Sequence, residues 1–164
     1  MREPVWCVFP APDITTYKFF LDKGVIGVGI ADFGDIRKLY PDRESLKQEW
    51  MRRYPDMKPK SIDPLSSIVY RFANEVHIGD WVLYPSTKID RMVHVGRVTG
   101  DYTYNSGRSS RYKDLRTVQW DRSKSLPRES YSKKALRGIS VNLALYQVRS
   151  LVFLAELEAK ITQR

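Results

Sequence analysis

At 164 residues the chain has room for one domain, or one domain with an appendage, and its 42% hydrophobic and 12% aromatic residues suffice for a real core. The single cysteine, Cys7, excludes an internal disulfide, no apolar run reaches the ~18 residues needed to span a bilayer, and the first residues lack a charged-then-apolar signal pattern, so a cytoplasmic protein with no membrane partner is expected. A net charge of +9 favours an anionic partner, most often nucleic acid, with plain solubility as the alternative.

In chain order, Val5-Trp6-Cys7-Val8-Phe9 reads as a first strand stopped by Pro10-Ala11-Pro12. Asp13 is placed to cap a helix with Tyr17, Phe20 and Leu21 on its apolar face, and Gly24 ends it. A second strand covers residues 25–30, where Gly27 and Gly29 imply a bend or something packed close. Strand, helix, strand with short connections suggests a crossover unit with the first two strands parallel.

Phe33 lies in the following loop. From Asp42 a helix is expected, with Leu46, Trp50 and Tyr54 at four-residue spacing and Trp50 stapling it to the rest. Pro55, Pro59 and Pro64 suggest a stiff basic connector, and residues 66–72 a short helix.

The stretch that organises the chain is residues 76–104. Ile78-Gly79-Asp80-Trp81-Val82-Leu83-Tyr84 and Met92-Val93-His94-Val95-Gly96-Arg97-Val98 read as two strands joined by a short polar linker, a hairpin. Trp6 and Trp81 are expected in the core, and Asp80 in a turn role.

Residues 115–120 alternate as another strand, and residues 125–132 read as a loop. Ser140 or Asn142 is placed to cap a last helix carrying Leu143, Tyr146, Leu151, Leu154, Leu157 and Ile161, with a wider step after Tyr146. Between residues 108 and 137 lie ten Lys or Arg against three acids, so most of the net charge is concentrated there.

Signals for chemistry are thin. His77 and His94 are the only histidines, and no Cys/His spacing supports a zinc site. No phosphate-cradling glycine loop and no nucleophile elbow occur. Glu158-Ala159-Lys160 matches the E-x-K fragment of restriction-type nucleases but falls in a helical pattern, whereas those residues belong on a strand. The expectation is a binding protein, with no catalytic residue, metal or cofactor.

The segment Ile78-Gly79-Asp80-Trp81-Val82-Leu83-Tyr84 followed by Val95-Gly96-Arg97-Val98 resembles the GD-x-V … G-x-V hairpin of PUA-like barrels, most closely the EVE and YTH-like domains. Tyr112-Lys113-Asp114-Leu115-Arg116-Thr117-Val118-Gln119-Trp120 is similar to the strand after the base-binding loop of YTH domains. The resemblance implies an α/β (α+β) fold: a PUA-like open β-barrel of about five to six strands with peripheral helices. It would cover residues 1–150, with a helical insertion at about 42–64, and a C-terminal helix within 140–164 leading to an effector nuclease or NTPase.

The resemblance further implies a nucleic-acid-binding module that holds a modified, methylated base turned out into an aromatic pocket, as the specificity part of a restriction or defence system. DNA is the favoured target over RNA. Alternatives are an RNA-binding accessory protein of the same fold, or a protein-interaction module. Carried over by position, Phe33, Asp35, Tyr102, Tyr104 and Tyr112 would bind the base; the local excess of positive charge, with a plain solvated surface as the alternative, makes Arg97, Arg108, Arg111, Lys113 and Arg116 the expected phosphate contacts. The loop positions that hold tryptophan in YTH domains have none here, so the cage is built of tyrosines, weaker, or absent.

Overall fold

The computed structural model describes residues 1–107 and 111–163. It is a mixed α/β fold in which one curled, half-barrel sheet is flanked by helices. In chain order the elements are β1 (Val5–Val8), α1 (Ile14–Lys23), β2 (Val25–Val28), α2 (Ile36–Leu39), α3 (Arg43–Arg53), α4 (Pro59–Asn74), β3 (Trp81–Pro85), β4 (Met92–Val98), β5 (Thr103–Tyr104), β6 (Asp114–Pro127), α5 (Lys133–Arg137), β7 (Leu145–Gln147) and α6 (Leu151–Thr162). Six strands follow the order β2-β6-β4-β3-β1-β7, and β5 pairs with β6.

The central strands read as unbroken apolar runs because both of their faces are covered. Trp6, Val8, Val82 and Tyr84 turn inward onto a core shared with α1, α3 and α4. Val5, Cys7, Trp81, Leu83, Val93 and Val95 turn outward, beneath α5 and α6. Burial pushes the Cys7 thiol up to about 12, so it is an inert core residue. The central hairpin forms as expected, pairing Trp81 with Arg97 and Pro85 with Val93. Asp80 ties its entry: one carboxylate oxygen accepts from the Trp6 indole and from the His77 backbone, both at 2.9 Å.

Local signals place α1 and α3. Asp13 accepts from the Thr16 N–H at 2.7 Å, and Gly24 closes the helix at φ 63°. Asp42 and Ser45 form a capping box at the start of α3.

Four expectations are corrected. First, β1 and β2 are not neighbours: β6, β4 and β3 lie between them in the hydrogen-bonded order, and the parallel partner of β1 is β3. Helix α1 therefore carries the chain from one side of the curled sheet to the far edge. Second, two residues of the expected proline connector, Pro59 and Pro64, belong to α4, while Pro55 stays in the turn between α3 and α4. Pro59 sits in the first turn, where its missing N–H costs nothing, and Pro64 is exposed while Ile62, Val69 and Phe72 are buried.

Third, β6 runs on to Pro127, with an irregular step that lets Ser125 accept the Val95 N–H at 3.0 Å. Fourth, the last helix is capped by Ser150, not Ser140 or Asn142, because residues 145–147 extend to pair with β1. The wide step after Tyr146 marks that strand-to-helix boundary. No helix among the described residues is long and apolar enough to cross a membrane.

Candidate functional site

The half-barrel leaves a seam. β2 is one end of the strand order and β1–β7 the other, and the two ends do not pair. Pro10 and Pro12 follow β1 and lack the N–H groups needed to extend a ladder. Phe9 makes the last bond on that side, donating its N–H to the Ala144 carbonyl at 3.0 Å.

A cavity of about 370 Å³ occupies the seam. That size is within the usual range of small-molecule sites. Its walls come from residues 9–12 after β1, Gly27 to Ile30 at the end of β2, the turn from Tyr84 to Ile89, Arg111 and Tyr112, and Asn142 and Ala144 before β7.

Gly27 in β2 and Gly29 just after it are what let Arg111 and Tyr112 close over that edge. A Cβ on Gly27 would lie 3.2 Å from the Tyr112 ring, and one on Gly29 would lie 2.8 Å from Arg111 Cγ and 3.1 Å from Tyr112 Cε1. Tyr112 is fixed from behind. Its ring meets Phe20 edge-on at 5.3 Å, and its hydroxyl accepts from the Ala11 N–H at 3.3 Å.

Tyr84 is 3% exposed and packs edge-on against Phe20 at 5.7 Å. Burial, then the nearby Asp90 charge, pushes its pKa above the ordinary tyrosine value. Its hydroxyl has no hydrogen-bond partner among the described residues, yet it is not one of the sealed polar atoms, so it keeps access through the cavity it lines.

The turn wall is held by a polar cluster. Asp90 Oδ2 accepts from the Tyr17 hydroxyl at 2.8 Å and lies 2.8 Å from His94 Nε2, while Asp90 Oδ1 accepts from the Ser86 hydroxyl and, at 3.0 Å, from the Met92 N–H. Burial opposes ionisation of Asp90, but the bonds from Ser86, Met92 and Tyr17 outweigh it and hold the carboxyl below its usual range. Ser86, His94 and Asp90 do not form a nucleophilic relay. The serine (3.1 Å) and the carboxylate share the same imidazole nitrogen, whereas a relay needs one on each. The cluster braces the turn.

Among the described residues no Asp or Glu lines the cavity, and two cations, Lys88 and Arg111, stand on its rim. Both are exposed, and neither has an ion-pair partner among the described residues.

Of the residues expected to hold a base, only Tyr112 lines this cavity. Phe33 is 1% exposed, stacked on Trp50 at 4.4 Å with Arg53 over its other neighbourhood at 4.5 Å, so it is core and not a cage wall. Tyr102 is also interior: its hydroxyl accepts from the Ile36 N–H at 3.0 Å and donates to Asp114 at 2.5 Å. Tyr104 donates to Asp32 at 2.7 Å, and Lys113 pairs with the same carboxylate at 3.3 Å. Asp35 caps α2, accepting from the Lys38 N–H.

Of the expected phosphate contacts, Arg111 is on the rim. Arg97 lies elsewhere, stacked 3.7 Å over Trp81 and donating to the Gly79 carbonyl. Arg116 is the clear correction. It is 1% exposed and donates to the Phe72 and Ala73 carbonyls at the end of α4, each at 2.9 Å. Burial lowers its pKa to about 10, still charged at neutral pH. Arg108 lies outside the described residues. The wall residues Phe9, Tyr84, Lys88 and Asn142 were not expected in a site: Phe9 and Tyr84 read as strand residues, Lys88 as part of a linker and Asn142 as a helix cap, and the available signal was the pair Gly27 and Gly29, which implied a bend or something packed close.

Asp114 gives a separate prediction. Burial raises its carboxyl to about 6 against an ordinary 3.8, with Asp32 and Asp35 adding to the rise and the Tyr102 hydroxyl opposing it. A carboxyl whose folded pKa is raised contributes stability below about pH 4 and loses it as pH climbs through 6. The loss is on the order of 2–3 kcal/mol. An Asp114→Asn variant, which keeps an acceptor for Tyr102, is expected to remove this decline between pH 4 and 7 in denaturant titrations. An unchanged slope in the variant would contradict the assignment.

A family model described as a domain of unknown function, DUF8426, matches residues 9–142, which is most of the chain and includes every wall residue of the cavity except Ala144. The chain belongs to the DUF8426 family. Comparison of this DUF8426 chain with curated proteins returned no match. Among solved structures it is similar to the X-ray crystal structure of protein Atu2648 from Agrobacterium tumefaciens, at 14% identity and a TM-score of 0.43, over 96% of this chain and 93% of that one.

Proposed function

We propose that this DUF8426 chain is a nucleic-acid-binding module that accepts a modified, methylated base into the seam cavity, on a half-barrel of PUA-like, EVE/YTH-like kind. The observation that carries the reading is a cavity with aromatic and apolar walls, free of carboxylates and rimmed by the unpaired cations Lys88 and Arg111. Phe9, Tyr84 and Tyr112 supply aromatic surface, and stacking on such rings contributes roughly 1–3 kcal/mol per base. Val28, Ile30 and Pro85 offer an apolar wall to a methyl group, and the Tyr84 hydroxyl is a free polar contact for a base edge. Turning a base out of its strand costs a few kcal/mol, so phosphate contacts at the rim must supply part of the balance. In this reading the module is the specificity part of a restriction or defence system, DNA its favoured target, and an effector nuclease or NTPase its partner.

The test is competition binding at two salt concentrations, with single- and double-stranded DNA and RNA oligonucleotides, plain or carrying methyladenine, methylcytosine or hydroxymethylcytosine. Preference for one modified base and a steep loss of affinity with salt are expected. A Lys88→Glu, Arg111→Glu double variant is expected to weaken all ligands alike by tenfold or more and to flatten the salt dependence. Equal affinity for plain and modified ligands would reject the reader function, and salt-insensitive or absent binding would reject nucleic acid as the partner.

A further inference from the structure

The seam cavity is one part of a longer groove. A second cleft, of about 170 Å³, shares Phe9, Pro85, Thr87 and Asn142 with it and continues to Arg128, Ile139 and Val141. Val141 is 40% exposed, although it is aliphatic and lies in a wall. Arg128 is half-buried, its backbone N–H tied to the Arg91 carbonyl at 2.8 Å, and its guanidinium has no ion-pair partner among the described residues. No carboxylate among the described residues lines this cleft either. The groove therefore repeats one pattern: an aromatic or aliphatic wall beside an unpaired cation, then the same again, with the Asn142 amide at the junction.

We propose that the groove takes two successive nucleotides of one strand, the turned-out base in the seam cavity and its neighbour in the second cleft, where the base lies on Phe9 and Val141 and Arg128 meets the phosphate. The proposal rests on the reading of the seam cavity as a base site. A flat group alternating with an anion is the repeat of a nucleic-acid strand, and stacking plus a charge-assisted phosphate contact is the chemistry that would recognise it.

The experiment measures binding of nucleoside monophosphates of N6-methyladenine, 5-methylcytosine, 5-hydroxymethylcytosine and their plain counterparts, and of dinucleotides adding thymidine on the 5′ or the 3′ side. At least one dinucleotide is expected to bind tenfold or more tighter than its monophosphate. Arg128→Ala and Val141→Asp are each expected to reduce that gain below twofold and leave monophosphate binding unchanged. Monophosphate binding with no dinucleotide gain, or a gain that survives both variants, overturns the second subsite alone. Absence of binding by every probe overturns the base reading of the seam cavity and the second subsite with it.

Discussion

An Arg116→Met variant is expected to lose about 3 kcal/mol of unfolding free energy, a large share of the 5–15 kcal/mol typical of a domain. Methionine keeps most of the apolar stem but none of the donors. The Phe72 carbonyl then has no guanidinium at 2.9 Å, and the C-terminal end of α4 loses a buried positive charge. The Ala73 carbonyl keeps a second donor, Arg37 Nε at 3.0 Å, and Asp101 keeps its pair with Arg37, which limits the damage. Equilibrium denaturation measures the stability change. Nucleic-acid binding, measured under conditions where the variant stays folded, is expected to be that of the parent. A variant of full stability that no longer binds would restore Arg116 to a phosphate-contacting role.

Gly29→Val is expected to abolish ligand binding, by a hundredfold or more, at a cost of only about 1–2 kcal/mol in stability. The new Cβ would press on two neighbours with different freedom. Arg111 is exposed and flexible, so its Cγ at 2.8 Å moves aside. Tyr112, with Cε1 at 3.1 Å, is pinned by Phe20 and by the Ala11 N–H, so the branched side chain is forced into the seam cavity. Isothermal titration with the preferred oligonucleotide reads the loss, and thermal melting checks that the fold persists. Undiminished binding by a folded Gly29→Val protein would place the ligand site outside the seam.

Much of the secondary structure was legible because its determinants are local. Asp13 and Asp42 cap helices through N–H groups three residues away, and Gly24 ends α1 in a left-handed conformation that other residues resist. The hairpin of β3 and β4 followed from two β-rich runs and a short linker. The proline-rich stretch at the start of α4 was misread because proline is judged as a breaker, whereas burial of Ile62, Val69 and Phe72 decides the matter there.

What the amino-acid sequence by itself determined about this protein is the caps of α1 and α3, the strands β1 to β4 and the apolar faces of those helices, which depend on spacing within a few residues, and its excess of positive charge. Only the tertiary structure decided where the seam cavity is and which cations on its rim lack an ion-pair partner among the described residues. The cavity walls come from five segments between Phe9 and Ala144, and they meet only because the curled sheet stops short of closing. An arginine in an alternating segment such as residues 115–120 reads the same whether it faces water or the carbonyls of a helix end, so Arg116 was grouped with Arg111 as an expected phosphate contact. Packing sends Arg111 to the rim of the seam and buries Arg116 against α4, because only Arg116 has backbone acceptors waiting in the interior.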